Sequence, residues 1–96
     1  MWIGNFRVKS VRINLNNKLI NGLQIIEIDE IGPLYEKGIR AGDIIIEINE
    51  GESSWGNLTK SLKFAAIGDD IKMKLLTTSK KFKFVEIISS EIEKVN

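Results

Sequence analysis

The chain contains no cysteine and no histidine, and it has a single proline among its 96 residues. Without cysteine, neither a disulfide framework nor a cysteine-based metal site can form, although this absence says nothing about the compartment. Without histidine, a Ser-His-Asp triad and any histidine-ligated metal are excluded. These absences remove common catalytic and metal-binding arrangements, and we expect no cofactor.

A strong charge of one sign and long apolar segments are missing as well. Lys and Arg number 14 and Asp and Glu number 13, so the net charge is +1 and gives no global reason for binding nucleic acid or a membrane surface. No segment approaches the apolar length of a membrane span. Met1 runs directly into Trp2-Ile3-Gly4, without a signal peptide. We expect no nucleic acid partner and no direct membrane insertion, and an exported domain would be a piece of a longer protein.

The composition that remains is typical of one small soluble domain. Apolar residues make up 43% and charged residues 28% of the chain. A chain of this length can build one modest core but not two. We expect a single domain over residues 1–96, with its core at about 2–88 and a C-terminal tail at 89–96.

Apolar periodicity predicts mostly strands. The predicted strands are Phe6–Ile13, Leu23–Ile28, Asp43–Ile48, Ile71–Leu76 and Phe82–Ile88, with loops at Asn14–Asn17 and Glu50–Trp55. A short helix is predicted after Pro33, and a longer one over Asn57–Ala66, with Ser54 or Asn57 as its cap and Gly68 at its end. The predicted fold class is α+β, mostly β: a partly open antiparallel barrel or sandwich of five to six strands with two helices.

The segment before the third strand has an unusual order of turn residues. Pro33 suits the first turn of a helix, and Gly38 can take the left-handed conformation that ends it. Gly42 permits a tight turn, in which Asp43 can bond neighbouring backbone amides. The apolar run Ile44–Ile48 then predicts a strand covered on both faces.

This stretch, Gly32-Pro33-Leu34-Tyr35-Glu36-Lys37-Gly38-Ile39-Arg40-Ala41-Gly42-Asp43 and the strand after it, resembles the signature of bacterial PDZ domains. Its ending, Ile48-Asn49-Glu50-Gly51, is one residue longer than the usual pattern. Leu34 and Lys37 also replace the alanines usual in the short helix. PDZ domains bind peptides, mostly free C-termini, so the resemblance implies recognition and no catalytic activity of the domain itself.

The N-terminus carries a second resemblance. Trp2-Ile3-Gly4-Asn5-Phe6 is similar to the carboxylate-binding loop that opens the PDZ domains of HtrA-type serine proteases, although Asn5 stands where that family has a hydrophobic residue. Phe6 could substitute only if a bulge turned it to the other side. The strand order and the Gly-Asp segment Gly68–Leu76 match the circularly permuted form found there. The resemblance implies an extracytoplasmic or membrane-tethered parent protein.

In such a loop, consecutive backbone amides form a nest for an anion, and a glycine lets the backbone approach the ligand. The resemblance therefore implies that a peptide carboxylate binds here, that the peptide adds a strand beside Phe6, and that its last side chain enters a pocket against the long helix. The candidate peptide-binding residues are Trp2, Ile3, Gly4, Asn5, Phe6, Val8, Leu58, Leu62, Ala65 and Ala66. Alternatively, Trp2, Ile3 and Phe6 are simply core residues of an edge strand.

Three functions remain open at this point. The first is a regulatory module that captures C-terminal or unfolded peptide segments beside an attached protease domain of the HtrA type. The second is a PDZ-like assembly or scaffold domain with a degenerate groove. The third is the PDZ portion of a C-terminal processing protease. In such proteases the spacing between the glycine loop and the second strand tends to be shorter than that from Gly4 to Gly22, which favours the first function.

The C-terminal hairpin concentrates positive charge at Lys72, Lys74, Lys80, Lys81 and Lys83. A solvated strand face that discourages aggregation is favoured over an RNA-binding surface, because few aromatic residues are interleaved.

Overall fold

Six strands and two short helices follow one another along the chain. The computed structural model describes residues 6–65 and 70–87, and of residues 62–65 the backbone alone. The elements are β1 (Phe6–Leu15), β2 (Lys18–Ile28), α1 (Pro33–Glu36), β3 (Ile44–Ile48), β4 (Gly51–Glu52), α2 (Trp55–Ala65), β5 (Ile71–Leu76) and β6 (Phe82–Ile87). All pairings are antiparallel, in the order β1-β2-β3-β5-β6, with β4 beside β3. The predicted α+β class is confirmed, whereas the predicted N-terminal loop, Gly68 and tail lie outside the described residues.

The first two strands form a long hairpin. They pair from Phe6 opposite Ile28 to Leu15 opposite Lys18, so that only two residues make the turn. Asn16 and Asn17 have φ angles of 53° and 64°, the left-handed values that a type I′ turn requires and that asparagine tolerates. The predicted loop over Asn14–Asn17 was therefore too long. Both strands extend further than predicted, because the turn needs no residues beyond the two asparagines.

A bulge interrupts this hairpin near its open end. The register shifts between Arg7 and Val8, where β2 carries Ile26 as an extra residue. Because the bulge lies on β2 and not on β1, Phe6 and Val8 remain on the same face of β1. Both side chains pack against the core.

Helix α1 ends in a Schellman motif, with Gly38 at φ 94°. The Gly38 amide donates to the carbonyl of Tyr35 at 2.9 Å, and the Ile39 amide donates to that of Leu34 at 3.2 Å. Ile39, the last residue of the motif, is buried in the core. The predicted helix end at Gly38 is confirmed.

The Gly42 turn joins β3 to β2. Gly42 has φ 97°, and its amide donates to the carbonyl of Ile25 at 2.8 Å. The buried carboxylate of Asp43 accepts from the Arg40 amide at 3.0 Å, while the Asp43 amide donates to the Arg40 carbonyl at 3.1 Å. The predicted roles of Gly42 and Asp43 are therefore confirmed, and they fix the direction in which β3 starts.

Strand β3 is covered on both faces, as the sequence predicts. Ile45 and Ile48 belong to the main core, whereas Ile46 lies outside that cluster at a register shift opposite β5. Ile46 is nevertheless only 5% exposed, because it lines a groove with Leu15 and Ile20 of the hairpin. The hairpin tip thus covers the second face of β3.

A second two-residue turn follows β3. Asn49 and Glu50 have φ angles of 50° and 64°, and Ile48 pairs with Gly51 across them. This turn accounts for the extra residue in the Ile48–Gly51 segment and creates the short strand β4. The predicted loop over Glu50–Trp55 was wrong in this respect, because a turn with two left-handed residues returns the chain antiparallel to β3.

Strand β5 and the turn after it agree with their predicted positions. Strand β5 has the predicted bounds, with Ile71, Met73 and Leu75 buried. The predicted turn at Thr78-Ser79-Lys80 separates it from β6. Within the two stretches that the structure describes, neither helix has the length and apolar character needed to cross a membrane.

Gly22 tests the packing of the hairpin on β3. A Cβ at this position would lie 2.6 Å from Cγ2 of Ile44 and 3.3 Å from the carbonyl oxygen of Ile45. Ile44 is β-branched and cannot swing away without changing its χ1 rotamer. We expect Gly22→Ala to lower the free energy of unfolding by about 1–3 kcal/mol in urea denaturation.

Gly56 provides the matched control, because a Cβ there meets nothing within 4 Å. Gly56→Ala should leave the free energy of unfolding unchanged or raise it by less than about 1 kcal/mol. Equal stability of the two variants would show that the hairpin does not pack closely on β3.

Candidate functional site

Strand β1 lies at one end of the sheet. Its inner edge pairs with β2 along its whole length, and no other strand of the described residues pairs with its outer edge. Such an edge presents a row of backbone donors and acceptors that can pair with another chain. The outer edge of β1 is therefore a place where an extended peptide can add to the sheet.

Three of the candidate site residues meet beside this edge. Phe6 and Val8 lie on the core-facing side of β1 and are half-buried. Leu58 of α2 is only 2% exposed. Phe6 and Leu58 line the same apolar cavity of about 10 Å³, which has room for about one water molecule at most. Phe6 and Leu58 therefore lie close together, with too little space between them for a ligand side chain.

The other candidate residues are less fully described. Leu62 and Ala65 lie in α2, where the structure gives their backbone but not their side chains. Outside the described residues lie Trp2, Ile3, Gly4, Asn5 and Ala66. For these seven, as for Phe6, Val8 and Leu58, a role in peptide binding stays a prediction.

Helix α2 begins two residues earlier than predicted, at Trp55. Its cap is Ser54, whose hydroxyl accepts from the Asn57 amide at 3.1 Å, and whose carbonyl accepts from the Leu58 amide at 2.9 Å. Trp55 therefore lies in the first helical turn and not in a loop, with 56% of its surface exposed. Of the two predicted caps, Ser54 is confirmed.

Asn57 has a different role, because its side chain ties the helix to the β3–β4 hairpin. Its Nδ2 donates to the carbonyl of Glu52 at 2.8 Å and to that of Ile48 at 3.2 Å. The short strand β4 is thereby held between β3 and α2.

Asn49 connects three elements at once. Its Oδ1 accepts from the Lys72 amide of β5 at 2.9 Å, and its Nδ2 donates to Oγ of Ser61 in α2 at 3.1 Å. Its own amide donates to the Lys72 carbonyl at 2.7 Å. Ser61 is buried at 3% exposure, whereas Asn49 is exposed, so the bond between them is partly buried. The sequence marks Asn49 as a turn residue, but it gives no signal that Ser61 lies within reach.

The sequence profile of the PDZ domain family matches residues 7–85, which is more than half of the chain. The chain belongs to the PDZ domain family. No curated protein matches it. PDZ domains are generally non-catalytic modules that bind peptides, mostly C-terminal segments, in protein–protein interaction. The free edge of β1 beside α2 is where this PDZ domain can offer a peptide groove.

The lysines of the C-terminal hairpin are partly engaged within the PDZ domain itself. Nζ of Lys74 lies 3.5 Å from a carboxylate oxygen of Glu47 and 4.6 Å from the ring centroid of Phe82. Lys83 donates to the carbonyl of Gly38, so it links β6 to the end of α1. These contacts favour a structural role for two of the five lysines over a dedicated anionic ligand surface.

The two hydrogen bonds of the Asn49 side-chain amide can be tested separately from the positive φ that Asn49 adopts in its turn. Asn49→Gly keeps a residue that adopts positive φ but removes both side-chain bonds. We expect the free energy of unfolding to fall by about 1–3 kcal/mol, because Ser61 and the Lys72 amide lose their partners. Asn49→Ala should cost about 1 kcal/mol more, because alanine is strained at this φ. Urea denaturation measures both changes.

Asn16→Gly is the matched control, since Asn16 has φ 53° in the exposed turn of the β1–β2 hairpin. Its free energy of unfolding should change by no more than about 0.5 kcal/mol. If Asn49→Gly lowers the free energy of unfolding no more than Asn16→Gly does, the side-chain amide of Asn49 does not hold α2 in place.

Proposed function

We propose that this PDZ domain captures extended peptides, above all free C-termini, by adding them as a strand to β1. The observation that carries the proposal is the unpaired outer edge of β1, which faces no other strand of the described residues. Because β1 pairs fully with β2 on its other side, the edge is already held in the extended conformation that a peptide needs.

The direction of the peptide follows from the position of the N-terminal loop. Residues 2–5 immediately precede Phe6, and Phe6 shares a cavity with Leu58 of α2. We place the terminal carboxylate on the backbone amides of Ile3, Gly4 and Asn5, which a nest-like loop would direct at an anion. A peptide antiparallel to β1 then runs, from its N-terminal side to its C-terminus, from the β1–β2 turn towards Phe6.

The last side chain of the peptide would enter a pocket between β1 and α2. Its proposed walls are Ile3, Leu62, Ala65 and Ala66, and Phe6 and Leu58 are its proposed floor. Small alanines on the helix leave room for an apolar terminal residue. An apolar pocket with a few convergent backbone donors is the usual composition of a selective ligand site.

We further propose that the parent protein is a protease of the HtrA type, in which this domain binds segments for an attached protease domain. The element order of strand, strand, helix, two strands, helix and two strands supports the circularly permuted arrangement implied by the N-terminal resemblance. A trypsin-like domain encoded upstream in the same gene would support this parentage, and an unrelated neighbouring domain would contradict it.

A second candidate function is docking of a folded partner in an assembly. The observation that favours it is the aromatic pair on the outer face of β6, where Phe84 is 76% and Phe82 is 48% exposed. Binding of a folded partner that Phe84→Ser weakens, together with no binding of any peptide, would select this function.

The peptide-binding proposal is tested at Gly4. Gly4→Val places a branched side chain in the proposed carboxylate nest, so affinity for peptides with free C-termini should fall by at least about tenfold. The measurement is fluorescence anisotropy of labelled short peptides with free or amidated C-termini. The parent should bind the free carboxylates selectively.

Gly56→Val is the matched control, because an added Cβ at Gly56 meets no atom within 4 Å. It should bind as the parent does. If Gly4→Val also binds as the parent does, the N-terminal loop is not the carboxylate site.

A further inference from the structure

The edge strand has a local excess of positive charge. Strand β1 contains Arg7, Lys9 and Arg12 and no acidic residue. The whole chain is nearly balanced, with 14 basic and 13 acidic residues. The excess is therefore a property of this edge and not of the overall composition.

Two of these three cations have no carboxylate partner in the part of the chain that the structure describes. Arg7 forms an ion pair with Glu27 at 3.2 Å. Lys9 lies opposite the neutral Gln24, and Arg12 lies opposite the neutral Asn21. The side-chain Nδ2 of Asn21 donates to the Glu52 carboxylate at 3.1 Å. Within residues 6–65 and 70–87, neither Lys9 nor Arg12 has an ion-pair partner.

The two free cations lie on opposite faces of the strand. Side chains alternate along β1, so Lys9 shares a face with Arg7, while Arg12 shares the core-facing side with Phe6 and Val8. A strand added at the edge alternates in the same way, and each of its side chains lies beside the β1 residue opposite it.

Resting on the proposed strand addition, we infer that the preferred ligands are acidic peptides with two carboxylate side chains three residues apart. One carboxylate pairs with Lys9. The other is three residues further from the ligand's C-terminus, on the opposite face, and pairs with Arg12. Arg7 contributes little to this preference for acidic peptides, because its charge is already paired with that of Glu27.

The size of the effect follows from cross-strand ion pairs. One such pair changes affinity by roughly 1.4- to 5-fold, so two pairs give about 2- to 25-fold. Both cations are exposed. The preference should therefore shrink as salt rises and the Debye length falls from about 30 Å at 0.01 M towards about 3 Å at 1 M.

The experiment uses labelled peptides of equal length with free C-termini. Each peptide of the series carries two glutamates three residues apart, and the pair is shifted by one position from one peptide to the next. Matched peptides carry two glutamines or two lysines at the same positions. We expect one placement of the glutamate pair to bind about 2- to 25-fold more tightly than the glutamine pair, and the lysine pair to bind more weakly than both.

Charge reversal on the protein identifies the contacts. Lys9→Glu and Arg12→Glu should each lower the affinity for the glutamate peptide. The double variant should bind the lysine peptide more tightly than the parent does. Lys81→Glu is the matched control, because it makes the same charge change at an exposed residue beside β6. It should leave the order of the peptides unchanged.

The possible results separate the two levels of the proposal. Equal binding of glutamate, glutamine and lysine peptides overturns this inference but leaves strand addition standing, and the β1 cations then serve only to prevent edge-to-edge aggregation. A loss with Lys81→Glu equal to that with Lys9→Glu also overturns it, because net charge alone would explain the data. If none of the peptides binds, the proposed function fails and the inference fails with it.

Discussion

The side chain of Asn49 makes the contact on which the geometry of the proposed peptide groove depends. The β1 wall is held by the backbone pairing of a hairpin, whereas α2, a helix of 11 residues, is joined to β3 and β4 by side-chain hydrogen bonds. Asn49 joins β3, β5 and α2 through one amide, and Asn57 adds two bonds from the helix to the backbone of β3 and β4. Two of these four bonds, those to Ser61 and to the Ile48 carbonyl, are partly buried, so breaking them costs more than breaking an exposed bond. The two walls of the groove therefore have different origins, one in backbone pairing and the other in side-chain amides.

Tight turns made by asparagine and glycine set the rest of the architecture. The Asn16–Asn17 turn lets β1 and β2 extend until their tip covers Ile46, and the Asn49–Glu50 turn creates β4. At Gly38 and Gly42 the chain leaves a one-turn helix and enters β3 within a few residues. Each turn shortens a connection, which leaves little of the described chain outside regular structure.

The sequence predicts best what is decided locally. The ends of α1 and the start of β3 follow from Gly38, Gly42 and Asp43, whose roles are chemical properties of single residues in turns. The extension of the hairpin and the existence of β4 depend on cross-strand pairing, which polar residues near a turn do not reveal. For the site, the motif at the start of β1 indicated Phe6 as a peptide-binding residue; the structure brings Phe6 and Leu58 to one cavity, and the binding role stays a prediction. The bond between Asn49 and Ser61 was not predictable, because it joins residues whose proximity only the assembled sheet creates.

Strand β1 is ten residues long, which at about 3.3 Å per residue gives an edge of about 33 Å. A tail of four or five residues would cover only half of it. A longer extended segment can form more main-chain hydrogen bonds with the edge. The affinity should therefore rise with the length of the segment that remains unfolded. A domain with such an edge would distinguish a loose end on a folded protein from a chain that has lost its structure.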